Sequence, residues 1–376
     1  MKKLNVTIIG AGIFGLAHAW SAAKRGHRVT VFERSPRAAG ASIRNFGMIW
    51  PIGQPPGEFY STALRSRQLW LELRQAADVF VQECGSIHLA HRPDEWNVLQ
   101  EFAQLGPQLG FHCDLLTPAE TCDRSPAANP SGLLGGLFSP MELCVNPLAL
   151  IRRLPHWLNE TFGVEFHFDT TITSIDGLHS VSGDGQRRSF DRCIVCSGVD
   201  LKTLYPQQLQ VAGLKLCKLQ MLRTRPQAGQ WRMGPHLASG LTLRHYRCFE
   251  VCPGLSQLKK RIADETPELD RYGIHVMASQ NDTGHVILGD SHEYDIDVEP
   301  FDSARIEELI LRELHNILKL PDWSIESRWH GYYCKNSNGP VTAIEPSDGV
   351  SVRAGAGGSG MTMAFGLAEK DWENWP

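Results

Sequence analysis

Three glycines near the N-terminus, Gly10, Gly12 and Gly15, have the spacing G-x-G-x-x-G. Because glycine lacks a Cβ atom, such positions permit a tight turn, a close backbone approach to a pyrophosphate and close packing of a helix on a strand. A segment with helical periodicity follows from Phe14 to Lys24. The N-terminus of a helix offers free N–H groups and partial positive charge to phosphates. The spacing therefore predicts a binding site for the diphosphate of a dinucleotide.

The glycines lie between two segments that are typical of buried strands, Leu4 to Ile9 and Arg28 to Phe32. Glu33 follows the second strand, 18 residues after Gly15. At about this spacing an acidic side chain accepts hydrogen bonds from a ribose diol. The strand–helix–strand frame predicts a Rossmann-like unit, but it does not distinguish FAD from NAD. The alternative is a glycine-rich turn of another α/β fold in which Glu33 is merely exposed.

A second glycine-rich segment, GAGGSG, spans residues 355–360. A strand is expected before it, over Val350 to Arg353, and a helix is expected from Met361. This arrangement again directs a helix N-terminus at an electron-rich group, for which an NAD-dependent dehydrogenase has no need. A flexible linker is the alternative, although the segments on both sides have the patterns of ordered elements.

The segment ASIRNFG, residues 41–47, resembles the A-S-x-R-N-x-G stretch of the D-amino-acid oxidase / glycine oxidase / sarcosine oxidase family. The resemblance extends over nearly the whole chain and implies FAD as the cofactor and a small-molecule amine as the substrate. It also implies hydride transfer from a C–N bond to flavin N5, followed by hydrolysis of the imine. Together with the two glycine motifs, it predicts these cofactor-binding residues: Gly10, Gly12, Ile13, Phe14, Gly15, Glu33, Arg34, Ser42, Asn45, Phe46, Gly47, Met48, Ile172, Cys196, Gly198, Gly357, Gly358, Ser359, Gly360, Met361 and Thr362.

The elements that position these residues follow from the same resemblance. It implies an α/β FAD-binding domain, Rossmann-like and of the glutathione-reductase type, plus a β-rich α+β substrate domain. The FAD-binding domain is expected to be discontinuous and the substrate domain to fill the gaps. Strands are expected from alternating residues in segments 240–254 and 273–294, and an amphipathic helix over Ile306 to Ile317, capped by Asp302 or Ser303. The predicted division assigns 1–80, 141–210 and 322–376 to FAD binding and 81–140 and 211–321 to substrate binding.

The segment RWHGYYCKNSNGPVTA, residues 328–343, departs from the family pattern G-x-R-P-x-T-P-D-G-x-P. Aligning Gly331 and Gly339 places Tyr333 where amino-acid oxidases have an arginine that binds the substrate carboxylate. Tyrosine cannot form the bidentate charged pair that arginine forms, so simple α-amino acids are less expected as substrates. Replacement anion binders would be Arg244, His245, Arg247, His292 or Lys335, although each is as readily an ordinary charge of the surface or a strand.

Two longer segments, residues 40–60 and 268–295, resemble a branch of the family that is associated with bacterial aminophosphonate catabolism. An aminophosphonate or its N-methyl form is therefore the expected substrate, and a glycine, sarcosine or D-amino-acid oxidase or dehydrogenase is the alternative. No catalytic side chain is certain, because the flavin carries the chemistry. The substrate-binding candidates are Met48, Trp50, Tyr246, His292, Tyr333 and Lys335.

Two further positions concern the flavin. Some sarcosine-oxidising relatives attach it covalently through a cysteine, but Gly331 occupies that position here, with Cys334 nearby. Non-covalent FAD is therefore expected. The same relatives have a lysine that assists the reaction with oxygen, and Ile287 stands at about that place. O2 is the expected electron acceptor, but an oxidase and a dehydrogenase both stay open.

The composition argues against other classes of protein. The chain has 376 residues, 42% of them hydrophobic, and a formal net charge of −4, so a folded protein that does not bind nucleic acid is expected. No apolar run reaches the roughly 18–20 residues that cross a bilayer, so no membrane span is expected. The ten cysteines do not form a compact disulfide scaffold, which favours reduced thiols in a cytoplasmic protein. No metal site is expected, because Cys193 and Cys196 lie in an apparent buried strand without a second ligand pair.

Two rival hypotheses for the function stay open. One is an NAD-dependent dehydrogenase, and the other is a flavin-binding protein without turnover of its own.

Overall fold

The structure is a computed structural model that describes residues 2–295, 297–336 and 341–375. Gly339, which was used to align the segment around Tyr333, lies outside the described residues. The first helix begins at Ile13, within the first glycine motif, and the last begins at Gly360, the final residue of the second one. The α-helices of the described residues are α1 (Ile13–Lys24), α2 (Glu58–Ala76), α3 (Pro93–Leu105), α4 (Pro118–Arg124), α5 (Pro147–Phe162), α6 (Pro206–Val211), α7 (Leu255–Glu265), α8 (Pro267–Arg271), α9 (Ala304–Ile317) and α10 (Gly360–Asn374).

The strands form two large and two small sheets. The two small sheets have the strand orders β10-β11-β12 and β3-β8-β4. The strands are β1 (Asn5–Ile9), β2 (Arg28–Phe32), β3 (Met48–Ile49), β4 (Val81–Glu83), β5 (Ser86–Ala90), β6 (Asp114–Leu116), β7 (Gly135–Ser139), β8 (Leu143–Val145), β9 (Glu165–His167), β10 (Ile172–Asp176), β11 (His179–Ser182), β12 (Arg187–Ser189), β13 (Arg192–Val195), β14 (Leu214–Pro226), β15 (His236–Ala238), β16 (Met277–Gln280), β17 (His285–Gly289), β18 (Glu293–Asp295), β19 (Ile325–Asn336), β20 (Thr342–Ser347) and β21 (Val350–Ala354).

The first large sheet contains the expected strand–helix–strand frame. Its strand order is β20-β21-β13-β1-β2-β9, and every pair except β20–β21 is parallel. Strand β1 is buried on both faces from Val6 to Ile9, as its mainly apolar sequence requires. Ile8 packs in a core with α1, α5 and α10, whereas Ile9 packs in a core on the other face. The carboxyl end of β1 therefore leads into α1 with its glycine turn at the edge of the sheet, where ligands of such sheets bind.

The second large sheet has nine strands and is mainly antiparallel. Its longest strand, β14, pairs with β17, β18 and β19. Strand β19 thus belongs to this sheet, although its residues fall in the segment 322–376. These two sheets confirm the predicted fold class, an α/β dinucleotide-binding part and a β-rich part, while the division into domains stays a prediction.

The segment 240–254 was predicted to be a strand, and this prediction is wrong. It forms two 3-10 helices, Gly240–Arg244 and Arg247–Val251. The backbone N–H of His245 donates to the Thr242 carbonyl, which is the i to i+3 bond of such turns. Apolar residues of this segment, such as Leu243 and Phe249, are nevertheless buried. Alternation of apolar and polar residues therefore does not distinguish a strand from tight turns that are packed in a core. By contrast, β16, β17 and α9 lie where they were expected, and Ser303 precedes α9 as its N-cap residue.

All ten cysteines are described and free of disulfide bonds. Cys193 and Cys196 are buried at β13, as the interpretation of this segment as a strand required. Among the described helices, none has both the length and the apolar character needed to cross a membrane.

Candidate active site

The three glycines of the N-terminal motif are each confined by neighbouring atoms. Gly10 has a φ of +104°, and a Cβ at this position would lie 2.3 Å from the Cys196 carbonyl oxygen. A Cβ on Gly15 would lie 1.8 Å from the Gly10 carbonyl oxygen, so α1 packs directly against the turn. A Cβ on Gly12 would lie 3.1 Å from Ser42 Oγ. The motif therefore provides the tight turn, the open cradle and the close packing that a bound diphosphate requires.

Ser42 and Asn45 shape the loop that faces this turn. The backbone N–H of Ile13, in the first turn of α1, donates to Ser42 Oγ at 2.9 Å. Asn45 Nδ2 donates to the Ser42 carbonyl at 3.1 Å, and the Gly47 N–H donates to Asn45 Oδ1 at 2.8 Å. The loop is therefore held against the helix N-terminus by its own polar side chains.

Glu33, at the end of β2, joins the glycine turn to the adjacent loop. Its carboxylate accepts hydrogen bonds from the backbone N–H of Ala11 at 3.0 Å and of Ser35 at 3.1 Å. The neighbouring Arg34 forms an ion pair with Asp200 at 3.0 Å. Glu33 is thus an ordered acidic group at the end of its strand, where the predicted ribose contact would be made.

The second glycine motif directs α10 at the same region. Its first turn contains no acidic side chain, so the partial positive charge of its N-terminus is not neutralised there. The backbone N–H of Trp50 donates to Thr362 Oγ1 at 2.8 Å, and Gln54 Nε2 donates to Ser359 Oγ at 3.2 Å. These bonds fix the start of α10 against residues that follow β3.

One cavity of about 740 Å³ connects both glycine motifs. All predicted cofactor-binding residues line it except Gly15 and Gly47, which instead pack behind its wall. All six substrate-binding candidates also line it. Its glycine-lined walls and two helix N-termini fit a large ligand with phosphate groups and an electron-rich ring.

A family model described as DAO, FAD dependent oxidoreductase, matches residues 5–370. The chain belongs to this family. It is therefore an FAD-dependent enzyme, and the cradle at Gly12 fits the cofactor because a side chain there would enter the space of the diphosphate.

Relatives of this FAD-dependent oxidoreductase cover nearly its whole length. An opine oxidase subunit of Rhizobium meliloti is 23% identical over 356 residues, which are 90% of this chain and 84% of the relative. Glycine oxidase of Geobacillus kaustophilus is 29% identical over 146 residues, which are 37% of this chain and 39% of that protein. The crystal structure of glycine oxidase from Geobacillus kaustophilus has a TM-score of 0.76 at 19% identity and covers 99% of this chain and 94% of its own. The structural likeness confirms the fold.

Tyr333 and Lys335 lie on β19 and line the part of the cavity next to the second glycine motif, where a Cβ at Gly357 would lie 3.7 Å from Lys335 Cγ. Burial raises the pKa of Tyr333 well above its usual value, so its hydroxyl stays protonated. Lys335 Nζ donates to Tyr294 Oη at 3.3 Å and lies 5.1 Å from the centre of the Tyr294 ring. Lys335 is the only lysine among the described lining residues. This part of the cavity therefore presents the Lys335 ammonium and the Tyr333 hydroxyl.

Three histidines and an aspartate complete this part of the cavity: His245, His275, Asp290 and His292. His275 and Asp290 exchange backbone hydrogen bonds of 3.3 Å, next to the paired strands β16 and β17. Burial lowers the pKa of His292 to about 4 and holds the pKa of both His245 and His275 well below its usual value. Burial also raises the pKa of Asp290 well above its usual value. The imidazoles are therefore neutral near pH 7 and supply no positive charge to the cavity.

Sequence reasoning named His245 and His292 but missed His275 and Asp290. Of the four residues in this cluster, only Asp290 and His292 are close in the sequence. His245 and His275 come from segments farther away in the chain. The alternating pattern of 273–294 predicted strands, but it did not indicate which side chains the pairing of β16 with β17 would bring together. Their cluster arises from tertiary structure alone.

Of the remaining candidates, Arg244 does not line the cavity. Its guanidinium forms an ion pair with Asp270 at 2.9 Å and donates to the carbonyls of Leu241, Leu269 and Ile274. It therefore supports the surrounding turns and is not available to a ligand. Arg247 does line the cavity but is largely exposed, at 61%, and lies 3.6 Å from Glu250.

The apolar wall of the cavity includes Met48, Trp50 and Tyr246. The Trp50 and Tyr246 rings lie 6.0 Å apart, and Tyr246 Oη contacts Met277 Sδ at 3.3 Å. Ile287 is buried in a small apolar cluster behind this end of the cavity. A substrate bound here would thus have an apolar wall on one side and Lys335 on the other.

Proposed function

We propose that the enzyme oxidises the C–N bond of a small amine that also carries an anionic group, with 2-aminoethylphosphonate or its N-methyl form as the candidate substrates. The named activities of the relatives, oxidation of opines and of glycine, support amine oxidation. When bound non-covalently, FAD supplies the hydride acceptor. We further propose O2 as the electron acceptor and the lining residues of both glycine motifs as the cofactor-binding residues.

The single observation that carries the choice of substrate is that Tyr333 and Lys335, two residues apart on β19, both line the cavity. A phenol hydroxyl and an ammonium are separate donors and do not form the planar fork that suits a carboxylate. A tetrahedral anion accepts hydrogen bonds from several directions, so the separate donors Lys335 and Tyr333, which both line the cavity, suit a phosphonate.

The apolar wall contributes to the oxidation of the amine itself. Hydride transfer from carbon requires an amine with a free lone pair, and an apolar environment disfavours the protonated form. Met48 and Trp50 are both almost fully buried and lie on this wall. They would exclude water and favour the neutral amine, while Lys335 holds the opposite end of the substrate.

The experiment is a comparison of kcat/KM for 2-aminoethylphosphonate, its N-methyl form, glycine and sarcosine, with peroxide formation and anaerobic flavin bleaching as readouts. Loss of a buried charge-assisted pair costs on the order of 2–4 kcal/mol, roughly 30- to 1000-fold in specificity. We expect the aminophosphonates to be preferred by at least about tenfold. If sarcosine or glycine is preferred by that factor, the enzyme is an amino-acid oxidase and the choice of substrate is wrong.

A lysine pair provides the matched control. Lys335→Gln should raise KM for the phosphonate substrate more than it lowers kcat, because the ammonium binds a part of the substrate that does not react. Lys260→Gln changes an exposed lysine on α7 and should leave both constants unchanged. Equal effects of the two variants would exclude Lys335 from substrate binding.

A further inference from the structure

The three histidines at the wall of the cavity lie side by side, with rings that are stacked or tilted against one another. One ring nitrogen of each lies within 4.8 Å of one nitrogen of the other two. The ring centres of His245 and His275 are 3.9 Å apart, and those of His275 and His292 are 4.6 Å apart. Each ring comes from a different segment, so the fold itself creates this cluster.

Several buried polar atoms of this cluster have no ordinary partner. Among the described residues, neither ring nitrogen of His275 has a hydrogen-bond partner, and neither has Asp290 Oδ1. Both side chains are nearly inaccessible to solvent, with 3% and 5% exposure for His275 and Asp290. An unpaired buried polar group costs about 1–3 kcal/mol, so a cluster of them indicates that a ligand binds here.

The separations between Asp290 and the imidazoles fit a shared metal ion better than hydrogen bonds. Asp290 Oδ1 lies 3.7 Å from His275 Nε2, and Asp290 Oδ2 lies 3.9 Å from His292 Nε2. Hydrogen bonds of this kind are about 2.7–3.2 Å long. Two ligand atoms at about 2.1 Å from a tetrahedral zinc ion are roughly 3.4 Å apart, which is close to the observed separations.

The orientation of His292 is also that of a metal ligand. Its Nδ1 lies 3.2 Å from the Gly273 carbonyl oxygen. Because a carbonyl oxygen can only accept, this contact assigns the proton to Nδ1 and leaves the lone pair of Nε2 directed at the cluster. Ligating histidines usually have such a second contact, which fixes the tautomer and the ring orientation.

We propose that His245, His275 and His292 bind one divalent metal ion of the zinc class, with the Asp290 carboxylate beside it. Imidazole suits this class of metal, and the carboxylate supplies compensating negative charge. Because all four residues line the cavity, the ion has an open position toward it, as in zinc sites with three protein ligands. That position suits an oxygen of an anionic ligand. Metal binding is independent of the proposed amine oxidation, so either can fail without the other.

Zinc binding to the FAD-loaded enzyme tests the site. After metals are removed with a chelator, Zn²⁺ is titrated against a chromophoric chelator, and Co²⁺ binding is followed by its absorption at wavelengths beyond the flavin bands. We expect one tightly bound Zn²⁺ per chain. His275→Gln should weaken the binding by at least about 100-fold, since even the loss of an outer partner typically costs 10- to 100-fold.

Two other variants keep the test decisive if His275→Gln folds poorly. Asp290→Asn preserves the shape of the side chain and should weaken Zn²⁺ binding by about tenfold. His88→Gln is the matched control, because His88 is fully buried with no described partner for either nitrogen, yet lies outside the cluster. It should leave zinc affinity unchanged. Absence of stoichiometric zinc in the wild type, or equal affinity in the wild type and the His275 and Asp290 variants, overturns the site.

Discussion

At the residue scale, the cofactor end of the cavity depends on positions where a side chain would occupy the space of the ligand. The Cβ of a residue at Gly12 would lie 3.1 Å from Ser42 Oγ, so the two methyl groups of valine would need space that Ser42 or a bound diphosphate occupies. Gly12 has extended backbone, with φ of −71° and ψ of 179°. A substitution there is therefore opposed by the ligand and not by the backbone.

We predict that Gly12→Val abolishes FAD binding while the protein remains folded. Flavin content after purification and the far-UV circular dichroism spectrum measure the two effects. Gly183→Val is the control, because the nearest neighbour of a Cβ at Gly183 would be the Thr173 side chain, 3.8 Å away. Normal flavin content in Gly12→Val would place the diphosphate elsewhere.

The thiol nearest to the position of covalent attachment is unreactive. Burial raises the pKa of Cys334 to about 12, and its Sγ donates to the Gly198 carbonyl at 3.2 Å. Because the thiolate is the nucleophile, Cys334 cannot attack a flavin at neutral pH. We predict that trichloroacetic acid releases all of the flavin into the supernatant. Flavin absorbance in the washed precipitate would show a covalent bond.

The cofactor end could be predicted from sequence because its requirements are local. A strand, three glycines and a helix follow one another in the chain, so their spacing alone indicates the diphosphate site. Glu33 could be predicted as well, because it comes directly after the strand that follows α1. The substrate end could not be predicted to the same depth. His275 and Asp290 meet only when β16 and β17 pair, and Arg244 proved to be occupied by Asp270.

At the element scale, the spacing of apolar residues correctly predicted elements such as β1, α1 and α9. Each of these elements buries either a run of consecutive apolar residues or an apolar face of a helix. It was wrong for 240–254, where two 3-10 helices bury Leu243 and Phe249 in the core of the β-rich part. The formation of such short 3-10 helices depends on packing against neighbouring elements, because they contain few hydrogen bonds of their own.

The segment between β7 and β8 contains a carboxyl group that supports neighbouring elements. Glu142 is fully buried and accepts hydrogen bonds from the Ile52 N–H at 3.1 Å and from Ser86 Oγ at 3.0 Å. Burial raises its pKa to about 7. Between the unfolded-state value, about 4.5, and about 7, the folded state retains a proton that the unfolded state has lost. The contribution of this group to stability is therefore complete below the lower value and is lost as pH rises through the upper one.

We predict that Glu142→Gln reduces the fall in unfolding free energy between pH 5 and pH 7 by about 2–3 kcal/mol. Urea unfolding at several pH values measures this slope. The same substitution at Glu83, which is exposed on β4, should leave the slope unchanged. An identical pH dependence in Glu142→Gln and the wild type would mean that the buried carboxyl group does not titrate in this range.

At the scale of the whole molecule, the cavity is where the two large sheets meet. Ile9, Phe32 and Arg353 line it from the parallel sheet, and Met221 and Met277 line it from the nine-stranded sheet. A ligand that reaches both sides therefore contacts both sheets at once. FAD is such a ligand, whereas ADP lacks the flavin and reaches only the glycine turn beside β1.

We predict that FAD protects backbone amides in both β1 and β16 against hydrogen exchange, whereas ADP protects those in β1 alone. At a free ligand concentration of about 100 times Kd, mass action stabilises the binding-competent state by about 2.7 kcal/mol, so exchange through openings that release the ligand should slow by roughly 100-fold. Met277, on β16, lines the cavity. Exchange in β16 slows only if opening of this strand also disrupts the cavity wall and so releases FAD. Mass spectrometry of peptides from the two strands, with each ligand at the same multiple of its own Kd, measures the difference. If FAD slows exchange in β1 but not in β16, the nine-stranded sheet opens without releasing the cofactor, and the cavity does not couple the two parts of the molecule.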